Sequence, residues 1–494
     1  MDIKIDSRKI KAGDLFFCLE KNPEKAGEFI KNALENGAKC AYTTCEILHE
    51  KVVISRDVWA DLGAKLREIY PEKPSKILAI TGTNGKTSTA FITAQILQKL
   101  GKKCIYIGTI GVFTGNSPAD QAFSGEFSGE NLTTPDIATL HKILHIAKQK
   151  MACDIAIFEA SSHGIEQNRI DFLEIFAAGF TNFTQDHLDY HKTMDEYFTA
   201  KSRLFSHFIS QNGWAITNSD SQKNEEILQK SRAKNSITYG KNGDLRLVEI
   251  NLQNNGQEVK ISYKNQNYSF FTGILGDFQV YNILCAIAFA ISLGCEIPNI
   301  IRVLSEINPP PGRLQRVKFQ NNYTNIYIDY AHTPDALQKA LSELRKIAKN
   351  RLIVVFGCGG DRDPGKRPIM GKIAVNIADV VIITDDNPRS ENPEEIRRQI
   401  INGIREFKEN VMQNLKVFPD KKMMLFALQG ENVGKFLEIT SSRQDAIRYA
   451  IENSDPDDVI LIAGKGHENY QIIGTTKHHF SDEEEVLGVI ISAP

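Results

Sequence analysis

The sequence predicts an α/β protein of three domains, in which a small mixed N-terminal domain precedes two larger domains built on parallel sheets. Three observations support this prediction. Short apolar runs alternate with amphipathic helical patterns along most of the chain. Two proline-rich segments interrupt that alternation, and a chain of 494 residues has room for about three domains. We therefore place the domains at residues 1–75, 76–312 and 313–494.

The composition is that of an ordinary globular protein. The formal net charge is -2, with 41% hydrophobic and 24% charged residues, so no overall basic field favours nucleic acid as a partner. The N-terminal segment MDIKIDSRKIK lacks the apolar core of a secretory signal, and no apolar run is long enough to span a bilayer. The eight cysteines include no C-x-x-C pair, which indicates reduced thiols. We expect a cytoplasmic monomer that binds no nucleic acid and does not span a membrane.

The first two domains are predicted from their apolar patterns. In the first, GDLFFCL and KVVIS predict strands, EFIKNALENGA predicts an amphipathic helix and YPEKPSK is typical of a linker. The second opens with the strand KILAI, a glycine-containing loop and a helix that ends at Gly101. The strands DIAIFE and AAGFTNF follow, separated by helices, which indicates a parallel sheet. Residues 115–130 predict a mobile polar loop. Residues 236–274 predict a small antiparallel addition with hairpins at Asn242-Gly243 and Asn255-Gly256.

The segment NPPPGR, residues 308–313, separates the third domain, because three consecutive prolines cannot continue a helix. Strand and helix patterns then alternate again. Helices are predicted to begin at Pro334 and at Pro393, the latter with Asn392 as its cap. The strands NIYIDY, RLIVVF, DVVIIT, GKFLEI and DDVILIAG complete a doubly wound, Rossmann-like domain.

The strongest chemical signal is ITGTNGKTST, a glycine-containing segment between a predicted strand and a predicted helix. Backbone N–H groups at such a helix start cradle phosphates, with Lys86 reaching the outer phosphates and Thr87 or Ser88 facing Mg²⁺. The segment is a short variant, since Ile80 occupies the position of the usual first glycine, five residues before Gly85. An ordinary strand-to-helix turn is the alternative. The central domain is thus predicted to be P-loop ATPase-like.

Three further features of the central domain are open to two interpretations each. Glu159 ends an apolar strand and is placed to ligate Mg²⁺, or to cap a helix. His187 and His191 have the spacing of zinc ligands on a helix, but Leu188 replaces the glutamate of the zinc protease pattern. Lys201, judged by its helical spacing alone, is a solvated lysine.

Loops at predicted strand ends carry the polar groups of the third domain. Asp329 suits a ribose hydroxyl or a metal. The loop FGCGGDRDPGKRP suggests a dinucleotide site, but Arg362 stands where such a site requires Gly or Ala. The segment TDDNPRSENP is explained as a turn, yet turn chemistry gives no reason for Arg389. The loop AGKGHENYQ carries His467 and Glu468.

Taken together, these segments resemble the Mur ligases, the ATP-dependent amino-acid-adding enzymes of bacterial cell-wall synthesis. The resemblance covers nearly the whole chain in order. It rests on the motifs DSR, TGTNGKTS, LTTPD, EASSHGIEQNR, TNFTQDHLDYH, AKSRLF, YNILCA, PPGRLQRV, DYAHTPD, GCGGDRDPGKRP, DDNPR and GKGHE. The first domain departs from the family, because EKAGEFIKNA stands where a Gly-His pair is usual.

The resemblance implies addition of meso-diaminopimelate to the D-glutamate carboxylate of UDP-N-acetylmuramoyl-L-alanyl-D-glutamate, with ATP and Mg²⁺. It implies catalytic roles for Lys86, His187 and a carbamoylated Lys201. The implied ATP-binding residues are Gly82, Thr83, Asn84, Gly85, Lys86, Thr87, Ser88, Asn282, Arg313 and Asp329. The implied Mg²⁺ ligands are Thr87, Glu159 and Lys201, with His187 at the Mg²⁺ site. The implied substrate-binding residues are Ser7, Asn131, Thr133, Thr134, Ser161, Gln167, Arg169, Arg362, Asp386, Asn387, Pro388, Arg389, Gly464 and Glu468.

Other functions remain open at this point. A lysine-adding ligase of the same family differs by one distal carboxylate on the amine, and Arg389 favours diaminopimelate over lysine. A P-loop ATPase switch explains the phosphate loop but leaves Lys201 and DDNPR without a role. A protein that only binds a nucleotide sugar is a third alternative.

Overall fold

The computed structural model describes residues 1–114, 117–118, 132–253, 256–317, 325–407, 416–418, 421–427 and 433–492. The predicted loop 115–130 therefore lies almost entirely outside the described residues, as does Asn131. The chain divides into two compact units. One contains residues 1–249, 259–270 and 281–307, and the other contains residues 250–258, 271–280 and 308–494. Within the described ranges, no helix is long and apolar enough to cross a membrane.

The N-terminal segment forms a four-stranded parallel sheet. Its strands lie in chain order and are β1 Ile3–Lys4, β2 Leu15–Phe17, β3 Cys40–Thr43 and β4 Val52–Ile54. Helices Pro23–Glu35 and Val58–Ile69 cover it. Asn22 caps the first helix by accepting from two backbone N–H groups, with Pro23 in the first turn. The second helix packs Leu62 and Leu66 against Ile137, so the sheet shares a core with the domain that follows. The predicted strands and helix are confirmed.

The central domain contains a sheet in which seven consecutive strands, from β13 to β6, are parallel. Its order is β15-β14-β13-β12-β11-β10-β5-β9-β6-β7-β8. The strands are β5 Lys76–Thr81, β6 Cys104–Gly108, β7 Gly111–Thr114, β8 Ser117–Pro118, β9 Ile155–Glu159, β10 Ile175–Phe180, β11 Ile209–Asn218, β12 Asn235–Gly240, β13 Leu245–Gln253, β14 Gly256–Tyr263 and β15 Gln266–Thr272. The helices are Lys86–Lys99, Ile137–Met151, Ser162–Glu166, Leu188–His191, Met194–Arg203, Asn224–Lys230, Asp277–Ser292 and Ile297–Val303.

The phosphate-loop strand lies in the middle of this sheet. β5 is buried along nearly its whole length between β9 and β10, as expected for a parallel strand covered on both faces. The helix that begins at Lys86 ends at Lys99, and Gly101, the glycine predicted to terminate it, follows. The Gly101 φ of +76° is the left-handed conformation typical of a helix C-terminus. The carboxyl end of β5 therefore has a strand end on either side of it.

One predicted hairpin is wrong. Around Asn242-Gly243, β12 pairs with β13 in parallel, through Tyr239 with Leu245 and Gly240 with Arg246. Neither Asn242 nor Gly243 has the positive φ that a tight hairpin turn requires, and the Asp244 carboxylate closes the segment by accepting from Thr238. A two-residue turn with positive φ instead joins β14 to β15, at Lys264 and Asn265. The other predicted turn includes Asn255, outside the described residues.

The third domain contains an eight-stranded sheet in the order β16-β17-β23-β18-β19-β22-β21-β20, parallel from β17 to β22. Its strands are β16 Gln315–Arg316, β17 Asn325–Asp329, β18 Leu352–Phe356, β19 Val380–Ile383, β20 Lys416–Phe418, β21 Lys421–Ala427, β22 Val433–Ile439 and β23 Val459–Ala463, followed by the separate hairpin β24 Tyr470–Ile473 and β25 Thr476–His479. The helices are Pro334–Ile347, Lys366–Ile377, Pro393–Phe407, Arg443–Glu452 and Asp482–Ser492.

Helices cover both faces of this sheet. On β18, Val354 and Phe356 pack with the helices that begin at Pro334, Lys366 and Pro393, whereas Ile353 and Val355 pack with the last two helices. The alternation follows from the two-residue period of a strand. The α/β fold class and the doubly wound, Rossmann-like character of this domain are confirmed.

Candidate active site

The phosphate loop, residues 82–85, joins β5 to the helix that begins at Lys86. Gly82 has a φ of +141° and Gly85 a φ of +86°, so both favour glycine. A side chain at Gly82 would also overlap the Thr181 hydroxyl, and one at Gly85 would overlap the Asn282 amide oxygen. The loop is therefore enclosed by the end of β10 and by the helix that carries Asn282, and the helix N-terminus behind it suits an anion.

Neighbouring polar groups fix the loop backbone. The Asn84 N–H donates to Asn182 Oδ1 at 2.9 Å, and the Thr181 hydroxyl donates to the Asn84 carbonyl at 2.6 Å. The Thr83 hydroxyl exchanges hydrogen bonds with the Thr184 backbone, at 3.0 and 3.1 Å. On the following helix, Ser88 is buried, and the Thr89 hydroxyl donates to Asn282 Oδ1 at 3.3 Å. The loop is thus held in one conformation by the adjoining strand end and helix.

Two lysines meet at the carbonyl of Gly82. Lys86 Nζ donates to it at 3.0 Å and to the Thr83 carbonyl at 2.8 Å, while Lys201 Nζ donates to it at 2.7 Å. Lys201 is 1% exposed, so the interpretation as a solvated helix lysine is wrong. Burial lowers the pKa of Lys201 well below its ordinary value. The charge of Lys86 lowers it further, and Asp186 opposes the shift. This lowering of the pKa favours the uncharged, nucleophilic form of the Lys201 amine.

Glu159, at the end of β9, is fully buried and surrounded by donors. Oε1 accepts from the Tyr106 hydroxyl at 2.5 Å and from the Thr109 N–H at 2.8 Å. Oε2 accepts from the Thr87 hydroxyl at 2.8 Å and from the Thr109 hydroxyl at 3.1 Å. These contacts join the ends of two strands, β6 and β9, to the phosphate-loop helix, so the alternative of a helix-capping glutamate is wrong. Hydroxyl and carboxylate oxygens are the ligands that Mg²⁺ prefers, and Thr87 and Glu159 fit such an ion.

A second polar group lies next to Glu159. The Thr134 hydroxyl donates to the Glu159 carbonyl at 2.8 Å and accepts from the Ser161 N–H at 2.9 Å. The Arg169 guanidinium donates to the Thr134 carbonyl at 2.8 Å and to Gln167 Oε1 at 2.5 Å. The Thr109 hydroxyl, which contacts Glu159, also donates to that of Thr133 at 3.1 Å. Five predicted substrate contacts are thus close together. Ser7 lies in the N-terminal segment, where its carbonyl accepts from Asn36.

His187 begins the short helix Leu188–His191 with a φ of +54°. Its ring lies 4.8 Å from the His163 ring, and Nε2 is 3.5 Å from the Asp186 carboxylate. His191 Nδ1 instead faces the Glu166 carboxylate at 3.1 Å, and the His191 ring is buried. In the part of the chain that the structure describes, no three His, Cys, Asp or Glu side chains are grouped as they would be around a metal.

The third domain brings three predicted loops together, because they follow the neighbouring strands β23, β18 and β19. Arg389 has a φ of +50°, and its Nη1 donates to the Gly360 carbonyl at 2.8 Å. Its backbone pairs with the hairpin β24–β25, through Ile472 and Gly474. Arg362, on the β18 loop, is exposed and donates to the carbonyl of Asp361 at 3.0 Å.

Segments 386–389 and 464–468 form what we call the strand-end cluster. The Asn387 amide donates to Glu468 Oε2 at 2.9 Å, and Lys465 Nζ is 3.2 Å from both Asn387 Oδ1 and that carboxylate oxygen. Asp386 and Pro388 are buried. A side chain at Gly464, whose φ is +118°, would come within 2.6 Å of the Asp386 carboxylate. Cationic arginine and anionic carboxylate groups thus converge at one sheet edge, as in ligand sites of doubly wound domains.

Asp329 ends β17 and accepts from the Leu314 N–H at 2.6 Å. Burial raises the pKa of Asp329 to about 6, against the opposing charge of Arg313. The Arg313 guanidinium lies 4.7 Å from the centre of the Tyr330 ring. The structure therefore places Arg313 and Asp329 next to each other.

Several residues of these sites were not predicted from the sequence. Tyr106 and Thr109 hold Glu159, and Tyr197 packs its ring under Lys201 Nζ at 4.4 Å. Lys465 lies in the predicted loop AGKGHENYQ, but its sequence pattern indicated no role for it. The available signal was position, since Thr109 and Lys465 both follow the end of a buried apolar strand.

Comparisons with known proteins agree with this geometry. The Mur ligase middle domain family matches residues 80–290, and the glutamate ligase domain of the Mur ligases matches residues 312–466. Together they place a phosphate-loop domain before an amino-acid ligase domain. The chain belongs to the Mur ligase family, whose members are ATP-dependent ligases that form amide bonds.

Three relatives with the same name are similar to the chain over nearly its whole length. A UDP-N-acetylmuramoyl-L-alanyl-D-glutamate--2,6-diaminopimelate ligase of Rickettsia montanensis is 40% identical over 490 residues, which cover 98% of this chain and 94% of the relative. The ligase of the same name from Bradyrhizobium diazoefficiens is 38% identical over 505 residues, with 99% and 94% covered. A solved structure of a ligase of that name is 30% identical, has a TM-score of 0.68 and covers 99% of this chain and 94% of its own. MurF of Thermotoga maritima in complex with ADP shares the fold, at 16% identity, a TM-score of 0.61, and 99% and 96% coverage.

Proposed function

We propose that this protein adds meso-diaminopimelate to the D-glutamate carboxylate of UDP-N-acetylmuramoyl-L-alanyl-D-glutamate at the expense of ATP, as the names of its relatives suggest. The observation that carries the proposal is the strand-end cluster, in which Arg389 follows β19 and Glu468 follows β23, the two parallel strands on either side of β18. An amino acid with a carboxylate and an ammonium at its far end needs both charges. Lysine has no distal carboxylate for Arg389 to bind.

In the first step, one anion attacks another: the substrate carboxylate bonds to the γ-phosphorus of ATP, which gives an acyl phosphate and releases ADP. Lys86 and the N–H groups of the phosphate loop offset the resulting repulsion. Thr87, Glu159 and a carbamoylated Lys201 would hold Mg²⁺, which when bound supplies further positive charge at the phosphate oxygens. His187 Nε2 lies 3.5 Å from the carboxylate of Asp186, whose charge acts on Lys201, and we assign His187 to the Mg²⁺ site.

Carbamoylation of Lys201 follows from its environment. The uncharged amine attacks the carbon of CO₂, forms an N–C bond and releases one proton, which leaves a carbamate anion. Burial and the charge of Lys86 lower the pKa of Lys201, which favours the uncharged amine that this step requires. The carbamate then places an anion beside Lys86, where a protonated amine would be repelled, so its charge interaction with Lys86 is attractive.

In the second step, the amine attacks the acyl carbon, forms the amide C–N bond, loses a proton and displaces inorganic phosphate. We assign the sugar dipeptide to Ser7, Asn131, Thr133, Thr134, Ser161, Gln167 and Arg169, and the amino acid to Arg362, Asp386, Asn387, Pro388, Arg389, Gly464 and Glu468. Asn282, Arg313 and Asp329 are assigned to ATP. The domain limits remain proposals at residues 75 and 312, with the sugar, ATP and amine assigned to the three domains in that order.

The decisive test measures phosphate release from ATP with the UDP-sugar dipeptide and either meso-diaminopimelate or L-lysine. We expect release that depends on the dipeptide and on diaminopimelate, with an amide-linked product seen by mass spectrometry. Release without either substrate would favour an ATPase switch. Preference for lysine would favour the lysine-adding alternative, and binding of the nucleotide sugar without phosphate release would favour a binding protein.

A further inference from the structure

Lys465 is a buried cation within the strand-end cluster. Its side chain is fully buried, in a loop between β23 and the hairpin β24–β25. A buried ammonium is stable only among compensating acceptors and charges. Three acceptors surround this one, at 3.2 Å from Asn387 Oδ1, 3.2 Å from Glu468 Oε2 and 3.9 Å from Asp386 Oδ1.

These contacts divide the two oxygens of Glu468. Oε2 accepts from Lys465 and from the Asn387 amide, whose own oxygen also accepts from the Ile472 N–H at 2.9 Å. Among the residues that the structure describes, Oε1 accepts only a long contact from the Tyr470 hydroxyl, at 3.5 Å. One carboxylate oxygen is therefore anchored inside the protein and the other is directed away from the anchor.

We propose that Lys465 is a positioning residue for the amine substrate, which holds Glu468 and Asn387 so that Glu468 Oε1 receives the substrate ammonium. The inference rests on the proposed function and adds to it a residue that does not itself contact the substrate. Without Lys465, the carboxylates of Glu468 and Asp386 would lose their shared buried cation. Glu468 would then turn toward water, away from the substrate position.

The test replaces Lys465 by methionine, which keeps an unbranched chain of similar length and removes the charge. We expect the KM for meso-diaminopimelate to rise about 10-fold or more, since a charge-assisted contact is lost. The KM for ATP and for the UDP-sugar dipeptide should stay within about 2-fold of wild type, because the contacts that the structure describes for the Lys465 side chain involve none of the residues assigned to them. A general loss of structure would raise all three KM values and lower the melting temperature.

Two variants make the test specific. Lys349→Met makes the same change at an exposed lysine of the third domain, after the helix that begins at Pro334, and should leave all three KM values unchanged. Lys465→Arg keeps the charge and should recover part of the lost affinity for diaminopimelate. An unchanged KM for diaminopimelate in a folded Lys465→Met protein refutes the inference.

A double-mutant cycle covers the case in which Lys465→Met alone does not fold. Glu468→Gln removes the charge that Lys465 compensates, so the double variant should be more stable than Lys465→Met alone. If Lys465 acts through Glu468, the double variant should have the KM for diaminopimelate of Glu468→Gln. Additive effects on KM would refute the inference. If wild type itself uses no diaminopimelate, the proposed function fails instead.

Discussion

Replacing Arg389 by alanine tests the substrate assignment most directly. Both residues carry a Cβ, so the backbone at φ +50° is equally constrained in each and the change is confined to the guanidinium. Within the described residues, the Arg389 side chain donates one hydrogen bond, from Nη1 to the Gly360 carbonyl at 2.8 Å. That contact anchors one edge of the guanidinium to the β18 loop and leaves further donors for a substrate carboxylate.

The size of the effect follows from these contacts. A charge-assisted hydrogen bond contributes about 1.5–3 kcal/mol, and 1.36 kcal/mol is a factor of ten, so the KM for meso-diaminopimelate should rise roughly 10- to 150-fold. The KM for L-lysine should not rise, because lysine has no distal carboxylate. The buried Gly360 carbonyl loses its donor, which costs about 1 kcal/mol of stability and leaves the protein folded.

The assay is phosphate release at saturating ATP and UDP-sugar dipeptide, with either amine varied. Arg398→Ala is the matched control, since Arg398 is an exposed arginine on the helix that begins at Pro393 and pairs with Glu395. It should leave both KM values unchanged. An unchanged KM for diaminopimelate in folded Arg389→Ala protein would refute the assignment of Arg389 to the distal carboxylate.

Three further predictions concern the other parts of the site. Lys201→Ala should lose most of the ligase rate and recover part of it with acetate or formate, measured by phosphate release; a normal rate would refute the carbamate. Because the pKa of Asp329 is raised to about 6, its protonated form stabilises the fold below that pH and the contribution is lost as pH rises. Relative to Asp329→Asn, wild type should therefore lose about 1 kcal/mol of stability between pH 5 and pH 7.5, seen in paired melting curves, and parallel curves would contradict this. Gly464→Ala, which directs a methyl group at Asp386, should raise the KM for diaminopimelate and leave that for ATP unchanged, and equal changes in both would contradict it.

Much of the fold was predictable because its signals are local. Proline at the first position of the helices beginning at Pro334 and Pro393 has a fixed φ and no N–H to satisfy, so a proline directly after a capping residue indicates a helix start. Buried parallel strands such as β18 appear as continuous apolar runs. Asn242-Gly243 failed for the opposite reason. A turn dipeptide permits a hairpin without requiring it, and here the Asp244 side chain closes the segment.

The candidate site was predictable in position but not in partners. Strand ends identified Glu159, Asp329 and Arg389 as polar residues at a sheet edge, because loops follow strands whatever the tertiary packing. The burial of Lys201 depends on contacts with Gly82 and Tyr197, which lie 119 and 4 residues away in the chain, and only the nearer one falls within a local pattern.

The same distinction between position and partners explains why the burial of the two site lysines, Lys201 and Lys465, was not predicted. A lysine is usually exposed, so composition and spacing assign it to the solvent unless an acceptor is known to face it. Lys201 meets a backbone carbonyl of the phosphate loop, and Lys465 meets an amide and a carboxylate from two different loops. Burial removes a lysine from water only where the fold supplies such acceptors, and supplying them at a ligand site is costly without a function. The burial of a lysine within hydrogen-bond distance of a predicted site residue is therefore stronger evidence for a role at that site than the sequence motif in which the lysine lies.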